Sequence, residues 1–413
     1  MTSELTSELV IETLGSRGDG IFQGDEGPVY IPFTLPGERV LANVDGERGE
    51  LVEILDASEE RCEPVCRHYG TCGGCSLQHL NRAAYLEWKR EQVRQAFLAR
   101  GLDVQVEPVI PAQTGTRRRA VLAARRTRNS VLLGFSKRLT HKIVDMQECP
   151  VMRSRIVNVL PDLREMLGVL LTRKGEARVT ILDTGNGLDV CIEGVREMSG
   201  PDLLMQMSEM SERLDLARLT IDGEVLATRR SPILKFGGVY AVPSPGAFVQ
   251  ASAETEEVLI SHVLSACKDA SRVADLFSGS GTFALPLARH SEVMAVEMDE
   301  DALGAIKNAV RQAQGLKPVR TACRDLFREP LTVKELEEFD AVVFDPPRAG
   351  ARAQAEELAQ STVAHVVAVS CNPATLARDI RILIDGGYRL SQVTPVDQFL
   401  FSEHIEAVAE LER

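Results

Sequence analysis

Apolar and polar residues alternate with period two in a series of short segments at the start of the chain: "LVIETL", "GIFQG", "GPVYIPF", "ERVLANVD" and "GELVEIL". Successive side chains of a strand point to opposite faces, so this alternation marks half-buried strands. Glycine turns separate the segments. Five short strands within residues 1–58 predict a small OB-like β-barrel, although other small β modules share the pattern. The period lengthens in "RAAYLEWKREQVRQAFLARG", which predicts a helix closed by Gly101. Residues 59–235 mix both periods and are expected to form an α+β central domain. From "SRVADLF" onward, near-continuous apolar runs ("RVADLF", "EVMAVEM", "DAVVFD", "HVVAVS") alternate with helical patterns such as "DEDALGAIKNAVRQAQ" and "RAQAEELAQS". That order predicts an α/β domain over residues 236–413, doubly wound around a parallel sheet.

The chain of 413 residues is long enough for two or three domains, and its 44% hydrophobic content supplies ordinary cores. No apolar run reaches membrane-spanning length, and "MTSELTSELV" lacks the basic and apolar regions of a secretory leader. A cytoplasmic, monomeric protein with no membrane association is expected. In that compartment nine cysteines point to metal binding or catalysis rather than disulfides. The formal charge of −13 argues against a generic polyanion binder, but the charge is uneven. Residues 1–60 carry three Lys/Arg and fourteen Asp/Glu, whereas Arg117–Lys142 carries nine Lys/Arg and no acid. In "TRRRAVLAARRTRNSVLLGFSKRLTHK" the basic residues alternate with apolar ones. One strand face is therefore expected to be basic and to meet a phosphate backbone while its back is buried, and Arg117, Arg118, Arg119 and Arg125 are the candidate RNA-binding residues.

Four motifs carry the chemistry. "ADLFSGSGTFALPLA" puts Gly279 and Gly281 in a strand-to-helix turn, with Asp275 and Phe277 beside them. With Ala284 it completes a G-x-G-x-x-A pattern that suits NAD, FAD and S-adenosylmethionine alike, and the helix N-terminus is expected to favour an anionic group. Glu297 ends the next strand, where a carboxylate can accept both ribose hydroxyls. "FDPPRAG" separates these readings. Asp345 and two prolines without donors, placed after a buried strand, point to a methyltransferase rather than a dehydrogenase. "VAVSCNPATLARDI" places Cys371 at the next strand end, and Pro373 suits the first turn of a helix. A thiol there is expected to have a lowered pKa and to act as a nucleophile. A methyltransferase needs one when the acceptor is as poor as carbon 5 of a pyrimidine. Thiolate addition at carbon 6 makes carbon 5 enolate-like, and a base must then remove its proton. Glu406 in "SEHIEAVAEL" is the candidate base.

Taken together, "DLFSGSGTF", "DPPRAG", "SCNPATLARD" and "EHIEAVAEL" resemble, in order, the motifs of S-adenosylmethionine-dependent RNA 5-methyluridine methyltransferases. "GAFVQAS" resembles the family's upstream motif. The resemblance implies a class I methyltransferase domain in which Cys371 is the nucleophile, Glu406 the base, and Asp345 lies against the target base. It further implies that Gln250 contacts the cofactor, Phe248 lines the uracil pocket, Glu297 holds the ribose and Asp325 lies near the adenine. The N-terminal barrel resembles a TRAM domain. Cys66, Cys72, Cys75 and Cys149 resemble the ligands of a [4Fe–4S] cluster; on spacing alone a zinc site competes, as does a local set with Cys62 in place of Cys149. Cys191, Cys267 and Cys323 are read as structural. Ser278 stands where many members of the family carry cysteine. The implied substrate is structured RNA, with 23S rRNA preferred over tRNA, and uridine preferred over cytosine. An NAD-linked iron–sulfur oxidoreductase and a non-catalytic ribosome-assembly factor are the rivals from other classes; neither uses Cys371 with Glu406.

Overall fold

The computed structural model describes residues 5–195 and 200–413, so the start of the expected barrel, residues 1–4, lies outside the described residues. Leu5–Val10, Thr13–Leu14, Asp19–Gly24, Gly27–Pro32, Arg39–Asp45 and Arg48–Asp56 form one six-stranded sheet. The segment read as a single first strand breaks in two. The Ile11 N–H donates to the Glu38 carbonyl and the Glu12 N–H to the Ile21 carbonyl, both at 2.9 Å, so the chain changes neighbours at that point. Leu9, Ile11, Val29, Ile31, Val40 and Ala42 share its core.

A second six-stranded sheet occupies the middle of the chain, with Arg119–Arg126 between Glu176–Thr184 and Val131–Gly134. Ala120, Leu122 and Ala124 point into its core, as the basic–apolar alternation requires. The helices Ser154–Leu170 and Pro201–Arg213 contribute to the same core.

Between the two sheets in chain order comes the predicted helix, Arg82–Leu98, which packs against the C-terminal part of the chain. Its first turn is capped by the Asn81 side chain, which accepts the Ala84 N–H at 3.0 Å. The buried stripe is Tyr85, Lys89, Val93 and Phe97. A lysine on such a stripe needs partners, because an isolated buried charge is very costly. Lys89 Nζ is fully buried and donates to Asp397 Oδ1 at 2.5 Å, to the Phe399 carbonyl at 3.1 Å and to the His404 carbonyl at 2.6 Å. Asp397 also accepts from Tyr85 Oη at 2.8 Å and from Arg82 at 3.2 Å. The cluster fastens the loop after Val396 to this helix.

The C-terminal sheet has seven strands in the order Val319–Cys323, Glu292–Glu297, Arg272–Leu276, Ala341–Phe344, His365–Ser370, Glu406–Glu412 and Arg389–Val396. The first five are parallel; Glu406–Glu412 runs antiparallel to both of its neighbours. Ala341 and Val343 face one core while Val342 and Phe344 face the other, which is why the parallel strands read as unbroken apolar runs. Chain order reverses between Arg272–Leu276 and Ala341–Phe344, the switch point at which open α/β sheets bind ligands. Among the described residues no helix is long and apolar enough to cross a membrane.

Removing one partner of a buried ion pair costs about 3–5 kcal/mol. Lys89→Met is therefore expected to lower the unfolding free energy by about that amount in denaturant titrations at neutral pH. A loss within the range of ordinary surface substitutions would show that the Lys89 cluster is not a structural anchor.

Candidate active site

Sheet register gathers the reactive groups. Ser370 pairs with Ala407, so the next residues outward on those two strands are Cys371 and Glu406. Phe344 pairs with Leu276 on one side and Ala368 on the other, which brings Asp345 and the glycine turn to the same edge. Thus the carboxyl edge of the sheet holds Asp345, Cys371 and Glu406 together.

The glycine turn begins at Phe277, whose φ of 59° is left-handed, followed by Gly279 at 51° and Gly281 at 98°. A Cβ on Gly281 would lie 2.8 Å from Leu285 Cγ, whereas one on Gly279 would meet nothing within 4 Å. Gly281 is thus required by packing. Gly279 supplies the backbone conformation and leaves open space for a ligand. The helix expected after the turn is one turn long, Ala284–Leu287, and contains Pro286; it is too short to act as the anion-binding helix that the sequence pattern suggested. Asp275 lies fully buried beneath the turn, and burial holds its carboxyl well above the usual range. Glu297 Oε2 accepts the Gly279 N–H at 3.1 Å while Oε1 accepts those of Met298 and Asp299 at 2.7 and 3.0 Å. The ribose-binding candidate therefore also braces the two loops around it. Asp325 Oδ1 accepts the Phe327 N–H at 3.0 Å, and the Phe327 ring lies 5.4 Å from that of Phe277. The exposed Phe327 and Met298, with the half-buried Phe277, offer an apolar surface beside the turn.

At the centre of the edge, Gln250 Nε2 donates to Asp345 Oδ2 at 2.8 Å. Gln398 Nε2 donates to Gln250 Oε1 at 2.8 Å and to Glu406 Oε2, and Gln398 Oε1 accepts the Ala251 N–H at 3.1 Å. Glu406 Oε1 is buried and has no partner. Burial pushes Asp345 up to about 7, and burial with the nearby Asp345 carboxyl lifts Glu406 well above its ordinary range. Cys371 departs from expectation. Instead of being lowered, its thiol is pushed up to about 12, by burial first and then by Glu406 and Asp345; Arg348 acts the other way. Burial and two carboxylates outweigh the helix beginning at Pro373, whose cap is Asn372. The Asn372 side chain ties that cap to the Arg348 carbonyl at 2.9 Å.

The basic strip divides among different tasks. Arg118 is 3% exposed, paired with Glu256 at 2.6 Å and with the Gln250 carbonyl at 3.2 Å, so it is not presented to solvent. Its role is to hold the Gln250 segment. Arg119 donates to the carbonyls of Ala247 and Gly246 and lies 5.7 Å from the ring of Phe248, which is 70% exposed. Arg125 pairs with Glu176 at the sheet surface. A cleft of about 1630 Å³ is lined by Cys371, Arg348 and His404, by Lys137 and Arg138 of the strip, and by Arg17, Tyr30 and Arg48 of the first sheet. None of the four arginines singled out from the sequence lines this cleft.

Cys66, Cys72, Cys75 and Cys149 line one smaller cavity of about 280 Å³, together with Arg117. Cys62 does not line it; its thiol faces the Gln78 carbonyl at 3.4 Å. Arg117 is mostly enclosed, donates to the Arg119 carbonyl at 2.9 Å, and has no carboxylate partner among the described residues. A cation held without a counter-charge beside four thiols fits an anionic thiolate-bound group. Among the described residues, however, no three His, Cys, Asp or Glu side chains are grouped as a single metal ion requires. Phe399, Leu400, Ser402, Glu403 and His404 form the other wall, so the cavity backs onto the loop that leads to Glu406.

Gln398, Arg348 and Phe327 were not foreseen from the sequence. Arg348 sits inside the quoted "DPPRAG" and Phe327 follows "ACRDL"; Gln398 lies in "VDQFLF", where nothing in composition or spacing marks it.

The family described as tRNA (Uracil-5-)-methyltransferase matches residues 238–413. Over its whole length the chain is 48% identical to an uncharacterized RNA methyltransferase of Brucella suis, covering 99% of that protein. It is 32% identical to a 23S rRNA (uracil(1939)-C(5))-methyltransferase of Halomonas elongata, with 99% of this chain and 90% of the relative covered. Among solved structures, the tRNA (uracil-54, C5)-methyltransferase of Pyrococcus abyssi, in complex with S-adenosyl-L-homocysteine, superposes with a TM-score of 0.78. It is 25% identical, with 98% of this chain and 99% of that one covered.

Asp345 gives the ligand-free site a pH signature. The unfolded chain releases this proton near pH 4, whereas the folded chain keeps it to about 7. Across that window the folded state holds the extra proton, so this group's contribution makes stability fall as pH rises. Asp345→Asn removes the contribution and still accepts from Gln250. In ligand-free thermal melts it is expected to stabilise the protein above pH 7 and to change little near pH 4. An equal change at both pH values would show that Asp345 is not held protonated.

Proposed function

The chain belongs to the RNA uracil-5-methyltransferase family and is an S-adenosylmethionine-dependent enzyme; on that premise we propose that it methylates carbon 5 of a specific uridine in structured 23S rRNA, through a covalent Cys371 adduct. The observation that carries the reading is the convergence of Cys371 and Glu406 on adjacent strand ends, with Glu406 Oε1 buried and unpartnered. The higher identity to the rRNA-modifying relative supports rRNA over tRNA. The proposed site of action is the cytoplasm, and the protein acts as a monomer.

S-adenosylmethionine, when bound, supplies an electrophilic methyl group and a positive sulfonium charge. Gly279, Glu297, Gln250 and the Phe277–Phe327 surface are the proposed contacts. Cys371 adds to carbon 6 of the uracil as a thiolate, and Arg348 is the side chain that favours this charged form. Addition places enolate character on carbon 5. Once carbon 5 is methylated, Glu406 Oε1 takes its proton, the electron pair restores the carbon 5–carbon 6 double bond, and the carbon–sulfur bond breaks to return the thiolate. Phe248 offers a ring for stacking, and its turn is held by Arg119. The target uridine must leave its stack to reach Cys371. The cleft between Arg348, Lys137, Arg138, Arg17 and Arg48 offers the path for the RNA backbone.

Cys66, Cys72, Cys75 and Cys149 are the proposed ligands of a [4Fe–4S] cluster. One zinc ion would need all four thiolates within about 2.3 Å of one point, whereas a cluster takes them at separate corners. The cluster's role is structural, supporting the loop before Glu406. Protein purified without oxygen is expected to be brown and to contain iron and sulfide in equal amounts. Stoichiometric zinc instead would overturn the cluster.

The adduct has a direct test. Incubated with S-adenosylmethionine and 5-fluorouridine rRNA transcripts, the protein is expected to form a denaturation-resistant complex, because fluorine cannot leave as a proton does. Cys371→Ala is expected to abolish it. A complex with tRNA transcripts alone would move the substrate to tRNA, and persistence in Cys371→Ala would remove Cys371 as the nucleophile.

A further inference from the structure

One link between the reactive groups is assigned to nothing in the scheme above. Gln398 is 4% exposed and commits both amide hydrogens and its amide oxygen to partners inside the site. The Ala251 N–H is backbone and cannot reverse. It occupies Gln398 Oε1, so the two Nε2 hydrogens must point to Gln250 Oε1 and Glu406 Oε2. Gln250 then has one orientation available, with its NH2 toward Asp345. A fixed backbone donor thus sets the direction of a chain that runs Glu406, Gln398, Gln250, Asp345.

We propose that Gln398 is the positioning residue of the base: it occupies Glu406 Oε2, leaves Oε1 as the one oxygen open to a substrate proton, and ties Glu406 to Asp345 through Gln250. The inference rests on Glu406 acting as the base of the reaction proposed above. The charged and titratable groups facing Glu406 are Asp345 from the end of Ala341–Phe344 and Cys371 from the end of His365–Ser370, with Arg348 beyond Cys371. Burial and the Asp345 carboxyl favour the protonated form of Glu406, and the Gln398 bond is the contact that opposes them. Without that donor the base stays protonated to higher pH. Proton removal slows while the earlier addition and methyl transfer proceed.

The test uses full-length protein, S-adenosylmethionine and transcripts with ordinary uridine, from about pH 6 to about pH 9. Gln398→Met keeps the length and removes the donor. Turnover near neutral pH is expected to fall about 10²-fold, the scale of lost general-base catalysis. The acidic limb of the rate profile is expected to move upward, and a denaturation-resistant methylated adduct should accumulate that wild type does not show. A rate lowered equally at every pH, with no adduct, would make Gln398 a packing residue and overturn the proposal. Should Gln398→Met not fold, Gln398→Glu keeps the acceptor for Ala251 and offers Glu406 no amide hydrogen; an unmoved acidic limb there overturns the proposal as well. Wild-type formation of 5-methyluridine separates the two readings. Its absence removes the uridine chemistry and this inference with it, whereas wild-type product beside an unchanged Gln398→Met profile removes this inference alone.

Discussion

A buried carboxyl, Glu406, and a half-buried carboxyl and thiol, Asp345 and Cys371, meet at one edge of one sheet in an arrangement that opposes its own ionisation. Asp345, Glu406 and Cys371 each raise the cost of charge on a neighbour, and burial adds to it. Much of the surrounding structure answers this constraint. Amide side chains, which donate without carrying charge, thread between the carboxyls. The exposed Arg348 faces the thiol from the cleft side. A site in this condition is poised for a cationic ligand, and the sulfonium of S-adenosylmethionine carries the matching sign.

A strained group of acids needs rigid supports, and these come from far along the chain. The loop between Val396 and Glu406 is gripped by Lys89 through two carbonyls and Asp397, and it forms one wall of the cysteine cavity. Arg118, whose guanidinium pairs with Glu256, steadies the segment that carries Gln250. The central part of the chain therefore contributes to the catalytic edge by holding it, besides offering Lys137 and Arg138 to the cleft.

The parts legible in the sequence were those in which local pattern and global role coincide. Apolar runs ending in Asp345 and Cys371 could be read because a parallel strand buried on both faces has to be apolar, and its end has to meet the ligand. The helix Arg82–Leu98 was legible by period, but its Lys89 was not, since the partner Asp397 lies some three hundred residues away. Charge runs carry no information on burial, so Arg118 looked like a phosphate contact although it is internal. The Cys371 thiol was misjudged for the same reason: its helix is local and visible, while the carboxylates that override it arrive from other strands. Gln398 had no signal at all, because an uncharged amide becomes informative only once its three partners, Ala251, Gln250 and Glu406, are known.

Glu406 sits on the one strand of its sheet that runs against the others, at the end of a loop pinned at Phe399 and His404. Side chains of a strand alternate in facing, so displacement by a single position would turn Glu406 away from Cys371 and present Ile405 or Ala407 instead. For a lineage of such proteins this divides the C-terminal segment into unequal territories. Substitutions can drift through it residue by residue, but a gain or loss of one residue inside the strand has no graded intermediate. It exchanges a proton acceptor for a hydrocarbon in one event, and the length of this segment is therefore inherited more strictly than its composition.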